Sequence, residues 1–497
     1  MSGRFLSWLL RWSGRLVDAV SASPADSDPI QNKYQRQVRH SADHLADTVA
    51  KGHATRSVPV PAAGMPAISD RTGGGDIPAV HHRGHPTRDI EAIIGIDFGT
   101  SSTKIVVRLP YEAGEPAFAV PAIESVVAEG HPDLWMSHLW LSDGAIFHLT
   151  AVAGARLLGG IKVGLMDGDQ SFDAKLGRSS AVPSESLSVF PSDAATAFLA
   201  LHICEAKRWF KDRQPRIVAS GNIVWSYNFG FPAASLDNQS LRTVYVRCVA
   251  AAVDLSSVET MSLNVVREAR CSLGNDSTLL LEGRRAALFP EIAAAVAGFA
   301  HSQRRDDGLY AMIDVGATTL DCCTFNLVAT AQGALKCPIF EADVSRYGVE
   351  PWQDCANDTV RREVFSAELN RRPRSVIWVT RRCRYFASPR WDTALPLFLL
   401  GGGAASDVHR SMTESLNNWI RNNFKNGKGG VRILELPPPE NLEYSCSPEK
   451  IPRLAVAVGL SLPADMIPTV MLPHEIDDAP APIQRQNGDL YVDKSMV

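Results

Sequence analysis

Two stretches of the chain set a carboxylate, a glycine and several hydroxyls in the same order. Residues 95–104 carry Asp97, Gly99, Thr100, Ser101 and Ser102. Residues 312–321 carry Asp314, Gly316, Ala317, Thr318, Thr319 and a second acid, Asp321. Glycine permits a tight turn where a side chain would block a phosphate, and hydroxyls and bare N–H groups donate to phosphate oxygens. Carboxylates repel phosphate, so their use here would be to hold hydrated Mg²⁺, which prefers oxygen ligands and keeps several waters. A third stretch runs from Phe398, Leu399 and Leu400 into Gly401, Gly402, Gly403, Ala404, Ala405 and Ser406. Either acid–glycine stretch alone reads as a hairpin with a polar tip. Both in series, followed by three glycines, read as a nucleotide site.

Strands must present these residues. Glu91 to Ile96 is an apolar-rich run, and Ile105 to Val107 resumes one after the turn, so the first stretch reads as a β-hairpin. Ala311 to Ile313 and Cys322 to Phe325 flank the second in the same way, with one of the paired thiols expected to face the core. The repeat suggests two related halves that grip one triphosphate from both sides. Neither Gly-x-Gly-x-x-Gly nor a Gly-Lys-Ser/Thr turn opening a helix is present, which argues against dinucleotide-binding and P-loop sites. Alternating strand and helix patterns from 89 to 462 give an α/β class. Helices are expected over 192–212 and 241–253, and strands at Arg216–Val218 and Ile223–Trp225.

In this order and spacing the three stretches resemble the actin-like ATPase superfamily, and most closely the heat shock protein 70 nucleotide-binding domain. Further segments resemble that family's remaining motifs: Phe229 to Ala233, Phe289 to Ala297, and Arg453 to Gly459. The resemblance implies an actin-like ATPase fold, with two ribonuclease H-like lobes around a nucleotide cleft, over about residues 91–462. It implies ATP and Mg²⁺ as cofactors. Asp97 and Asp314 would hold Mg²⁺ through water, and Asp314, Glu291 and Thr319 would form the catalytic set. Gly99, Thr100, Ser101, Gly316, Ala317 and Thr318 would surround the phosphates. Gly401, Gly402 and Gly403 would let the nucleoside approach the backbone. The small residues of the last motif would let two helices cross closely at a hinge. Lys162 is the candidate for the family's catalytic lysine, although its setting also reads as that of a surface lysine. The arginine that often follows the family's glycine run is absent, and nothing after Leu462 reads as a peptide-binding domain.

Composition sets outer bounds. The chain has 497 residues, enough for two lobes, and a formal net charge of −4, which gives no global reason to expect nucleic acid binding. Nine scattered cysteines without a Cys-x-x-Cys pair fit reduced thiols and a cytoplasmic protein. Residues 21–88 read as a disordered linker, and His81, His82 and His85 within it lack a fixed ligand set. Residues 1–20 form a basic amphipathic pattern. Phe5, Trp8, Leu9, Trp12, Leu16 and Val20 fall on one face, and Arg4, Arg11 and Arg15 on the other. Residues 4–20 fit either a membrane surface or the groove of a protein partner. Residues 463–497 read as a flexible tail. Nine arginines between Arg361 and Arg390 form either a solvated basic face or a dock for an acidic protein.

The leading functional expectation is a slow ATP-hydrolysing switch that regulates a protein partner. A membrane-associated cytoskeletal ATPase, a sugar-kinase-type phosphotransferase and a non-hydrolysing scaffold are the alternatives.

Overall fold

The structure is a computed structural model that describes residues 88–172, 188–232, 238–274, 277–330, 333–355, 357–424 and 429–476. All lie in one compact unit, Pro86–Val497. The amphipathic pattern of 1–20 and nearly all of the expected linker lie outside the described residues.

The fold is mixed α/β, and its two large sheets repeat one plan. In the first half, β1 (Arg88–Asp97), β2 (Ser102–Arg108) and β3 (Ala117–Ala119) form an antiparallel meander. Both faces of β1 are covered, so Ile90, Ala92, Ile93, Ile94 and Ile96 are all buried and the strand is nearly continuously apolar. Short strands follow: β4 (Trp135–Met136) pairs with β2, and β5 (Leu139–Leu141), β6 (Phe147–His148) and β7 (Arg156–Leu158) make a small separate sheet. Helix α1 (Ile161–Met166) and the long α2 (Pro191–Arg213) lead to β8 (Gly221–Phe231), parallel to β1. Helix α3 (Gln239–Leu255) then leads to β9 (Ala286–Pro290), parallel to β8, and α4 (Glu291–Ala300) follows.

The second half begins with another antiparallel meander, β10 (Gly308–Val315), β11 (Leu320–Ala329) and β12 (Leu335–Ser345). Helix α5 (Thr359–Val379) leads to β13 (Leu395–Leu400), parallel to β10. Helix α6 (Asp407–Asn423) leads to β14 (Val431–Leu434), parallel to β13. The chain then returns to the first sheet as β15 (Leu442–Glu443), passes through α7 (Ala455–Leu460), and joins the second sheet as β16 (Thr469–Met471).

The first sheet has the order β15-β3-β2-β1-β8-β9, and the second β16-β12-β11-β10-β13-β14. Position by position, the parallel and antiparallel pairings are the same. The fifth strand of each half leads onward to a short helix, α4 or α7. These two helices cross where a Cβ on Gly459 would lie 1.8 Å from the Ala294 carbonyl oxygen, so only glycine fits there. Asn228 of β8 fixes the end of α7 by donating from Nδ2 to the Leu460 and Leu462 carbonyls, at 2.8 and 3.0 Å.

Three local expectations change. Arg216–Val218 lies in a short helix, Pro215–Ser220, which starts on a proline whose fixed φ suits a first helical position. The segment after Pro463, read as tail, contributes β16 and buries Ile467. Cys322 and Cys323 are both buried, because each face of β11 packs in a different apolar cluster. None of the nine cysteines is paired in a disulfide.

Candidate functional site

Both acid–glycine stretches form the hairpins expected of them, and the pairing register aligns them. Across the first hairpin Asp97 is opposite Lys104, and across the second Asp314 is opposite Asp321. In the first turn the Gly99 N–H donates to the Asp97 carbonyl at 3.1 Å. That turn is braced from outside: Ser137 N–H donates to the Ser101 carbonyl at 3.0 Å, and the Thr103 and Ser137 hydroxyls pair at 2.9 Å. Thr100 and Ser101 are half-buried at the tip. In the second turn Gly316 N–H donates to the Thr319 carbonyl at 2.9 Å. A following segment grips its back: Gly348 N–H donates to Thr318, Val349 N–H to Gly316 and Glu350 N–H to Ala317. The Thr318 hydroxyl donates to Glu350 Oε2 at 3.2 Å, whereas Thr319 remains half-buried at the tip.

The third stretch arrives at the same place. Strand β13 runs parallel to β10 with Leu400 beside Asp314, so Gly401 begins next to the acid. Gly401 has φ +83°, and a Cβ on it would lie 2.2 Å from Asp314 Oδ1. Glycine is therefore required twice, by the left-handed backbone and by the carboxylate against it. Gly403 N–H donates to the Val315 carbonyl at 2.9 Å, which pins the run to β10.

Two amines and two further carboxylates complete the charge set. Lys104 Nζ lies 3.1 Å from Asp97 Oδ2, within its own hairpin. Lys162, near the start of α1, is buried, and its Nζ lies 2.7 Å from Oε1 of Glu291, the first residue of α4. The surface reading of Lys162 is thus corrected. Burial alone would push its ammonium down, but Glu291 and Asp97 outweigh this and hold its pKa above the ordinary value. It stays charged.

Asp97, Glu291, Asp314 and Asp321 thus gather near Lys104 and Lys162, with Asp343, paired to Arg372, close to Asp321. Burial, with Asp97 and Glu291 adding to it, pushes Asp314 up to about 6 despite the opposing Lys104. Burial, then Asp314 and Glu291, pushes Asp321 well above the carboxylate range. Ionising both acids would leave the cluster with surplus negative charge in a poorly solvated place. Beneath them, between α4 and β10–β12, a cavity of about 20 Å³ is lined by Glu291, Asp314, Asp321, Ala295, Met312 and Cys323. That is room for about one water molecule. Asp321 Oδ1 is buried without a hydrogen-bond partner.

Every residue expected at the phosphates or the ion therefore lies on one of the two tips, on the glycine run or at the start of α4. Among the described residues, no group of three or more His, Cys, Asp or Glu could hold a metal ion by itself. The acids offer oxygen donors only, the ligand type that a hydrated divalent ion prefers. Sequence reasoning gave no role to Lys104 or Asp321. The signal was available: each follows its acid by the same number of residues.

The arginine-rich segment is less free than its composition suggests. Arg371 pairs with Glu368, Arg372 with Asp343 and Arg390 with Asp306. Arg374 donates to Ser415, and Arg362 and Arg382 lie over the rings of Trp352 and Trp378. Arg362, Arg372 and Arg374 thus tie α5 to its neighbours in the second half, whereas Arg371 and Arg382 make their contacts within α5 and its π-helical extension, Thr380–Arg384. Among the described residues no helix is long and apolar enough to cross a membrane. No protein-family model matches the chain, and no curated protein matches it.

Proposed function

We propose that the chain is an ATP-binding, slowly hydrolysing conformational switch, similar to the heat shock protein 70 ATPase domain of the actin-like superfamily, that regulates a protein partner. The observation that carries this is the duplicated sheet plan, with Asp97 and Asp314 at matched turns and the glycine run against Asp314. A fold made of two such halves, each offering a polar tip, suits a ligand with a chain of phosphates between them.

In this reading Asp97 and Asp314 hold Mg²⁺ through water, and Asp321 stands behind Asp314. When bound, the ion neutralises charge on the phosphates and on the surplus carboxylates. Thr100 and Ser101 on one tip, and Gly316, Ala317 and Thr318 on the other, surround the phosphates. Asp314, Glu291 and Thr319 form the catalytic set, with Lys162 fixing Glu291 and supplying positive charge. Hydrolysis rests on positioning and charge stabilisation, without a covalent intermediate. Gly401, Gly402 and Gly403 take the nucleoside end. Closing and opening about the α4–α7 crossing would convert nucleotide state into partner affinity.

The test is phosphate release and partner capture by the full chain, compared with Asp314→Asn and Thr319→Ala. Loss of turnover in both variants supports the switch. Unchanged turnover and capture in both would remove the proposal.

A further inference from the structure

One ion pair on the first half holds a guanidinium against the glycine run of the second: the segment carrying Arg453 packs with Val106, Ala117 and Ala119 through Leu454 and Ala457. Arg453 lies just ahead of α7, and its Nη1 and Nη2 donate to Oε2 and Oε1 of Glu129 at 2.7 and 3.1 Å. Glu129 belongs to the first half, between β3 and β4, and is held at φ +52° in a left-handed turn. The same guanidinium lies against Gly402 of the second half: a Cβ there would be 2.8 Å from Arg453 Cζ and Nη2. The hydrogen bonds from Arg453 hold the Glu129 carboxyl below its ordinary value against its partial burial.

Another pair does cross between halves, Arg346 with Asp167 at 2.8 Å, but both its side chains are exposed and its contribution is expected to be small. Arg453 differs. Glu129 is 52% exposed, but the Arg453 side chain is only 12% exposed, both of its terminal nitrogens are used on that one carboxylate, and it lies against a backbone that a nucleoside would need. Two-point guanidinium–carboxylate contact fixes geometry as well as adding attraction.

We propose that the Glu129–Arg453 pair is a latch across the nucleoside end of the cleft, and that a ligand reaches Gly402 only when the pair opens. The ligand's identity rests on the nucleotide reading above, whereas the latch itself does not. Opening also bears on the hinge. Arg453 sits close to the start of α7, α7 crosses α4, and α4 begins with Glu291. A ligand that displaces Arg453 from Gly402 therefore acts on the element that carries the Lys162–Glu291 pair. Arg453 is a positioning residue in this scheme.

The test uses the full chain without ligand and reads amide hydrogen exchange in peptides spanning 401–406. Glu129→Gln should speed exchange there by about tenfold or more, because a local opening becomes cheaper. The reversed pair, Glu129→Arg with Arg453→Glu, should restore protection. High salt should speed exchange in the parent protein and have little effect in Glu129→Gln. Equal exchange in the parent and Glu129→Gln, or no salt response in the parent, would overturn the latch. Dissociation of a fluorescent ATP analogue should then be about tenfold faster from Glu129→Gln. Dissociation at the parent's rate would overturn the gating of the ligand. If the parent binds no analogue while the exchange effects hold, the latch stands as a clasp between the halves and the nucleotide reading fails.

Discussion

The two acid–glycine hairpins share length, register and place in their sheets, but they do not share charge. Asp97 faces Lys104, and the pair is closed within the hairpin at 3.1 Å. Asp314 faces Asp321, and burial among like charges raises both. Duplication of a fold supplies matched geometry, and one residue at one register position then divides the labour. The first hairpin carries its own counter-ion. The second carries surplus negative charge and calls for an external one.

That contrast can be broken from the acidic side. Asp314→Asn is expected to remove Mg²⁺-dependent ATP turnover by about 100-fold or more, measured as phosphate release. The same change should stabilise the ligand-free protein, by on the order of 2 kcal/mol in denaturant titration, because it removes a charge held at a cost. Asp321→Lys would make the second hairpin imitate the first. It is expected to weaken the Mg²⁺ dependence of ATP binding by about tenfold or more, measured by calorimetry in Mg²⁺ and in EDTA.

The Lys162–Glu291 pair joins α1 to the hinge. Lys162→Ala leaves Glu291 partly buried without its partner and should cost about 2–3 kcal/mol of stability. Its turnover number should fall far more than its KM rises, since the pair serves the reaction more than binding. A loss confined to KM would assign Lys162 to binding instead.

Acid gives a milder test with a defined sign. Asp314 is raised from 3.8 to about 6, so the folded protein holds a proton that the unfolded chain has released. The stability this proton contributes falls as pH rises between those values, and Asp321 acts in the same direction. Thermal unfolding of the ligand-free protein should therefore show this loss as pH rises through that window, against the background of the other groups. Mg²⁺-dependent ATP binding should strengthen over the same window, because it needs the acid ionised. If both quantities moved together, the surplus charge would not belong to the ion site.

Much of this was legible in the sequence. The hairpins, the glycine run and the helices around 192–212 and 241–253 follow from apolar runs punctuated by glycines and hydroxyls, which are local signals. Charge pairing was less legible. Lys104 and Asp321 could have been matched by counting from Asp97 and Asp314. Lys162 with Glu291, and Glu129 with Arg453, meet only after the chain has folded twice, and no local pattern marks them. Arg216–Val218 misled for a related reason: its β-branched residues suggest a strand, while the preceding proline starts a helix. Strand β16 is too short to stand out from a proline-rich end and exists only because β12 offers it an edge.

The most direct measurement is calorimetric titration of ATP into the full chain, in Mg²⁺ and then in EDTA, beside Asp314→Asn. Mg²⁺-dependent binding by the parent that Asp314→Asn loses is the expected result. Binding of equal strength in all three cases, or none in the parent, would contradict the assignment of Asp314 as a holder of the ion in a nucleotide cleft.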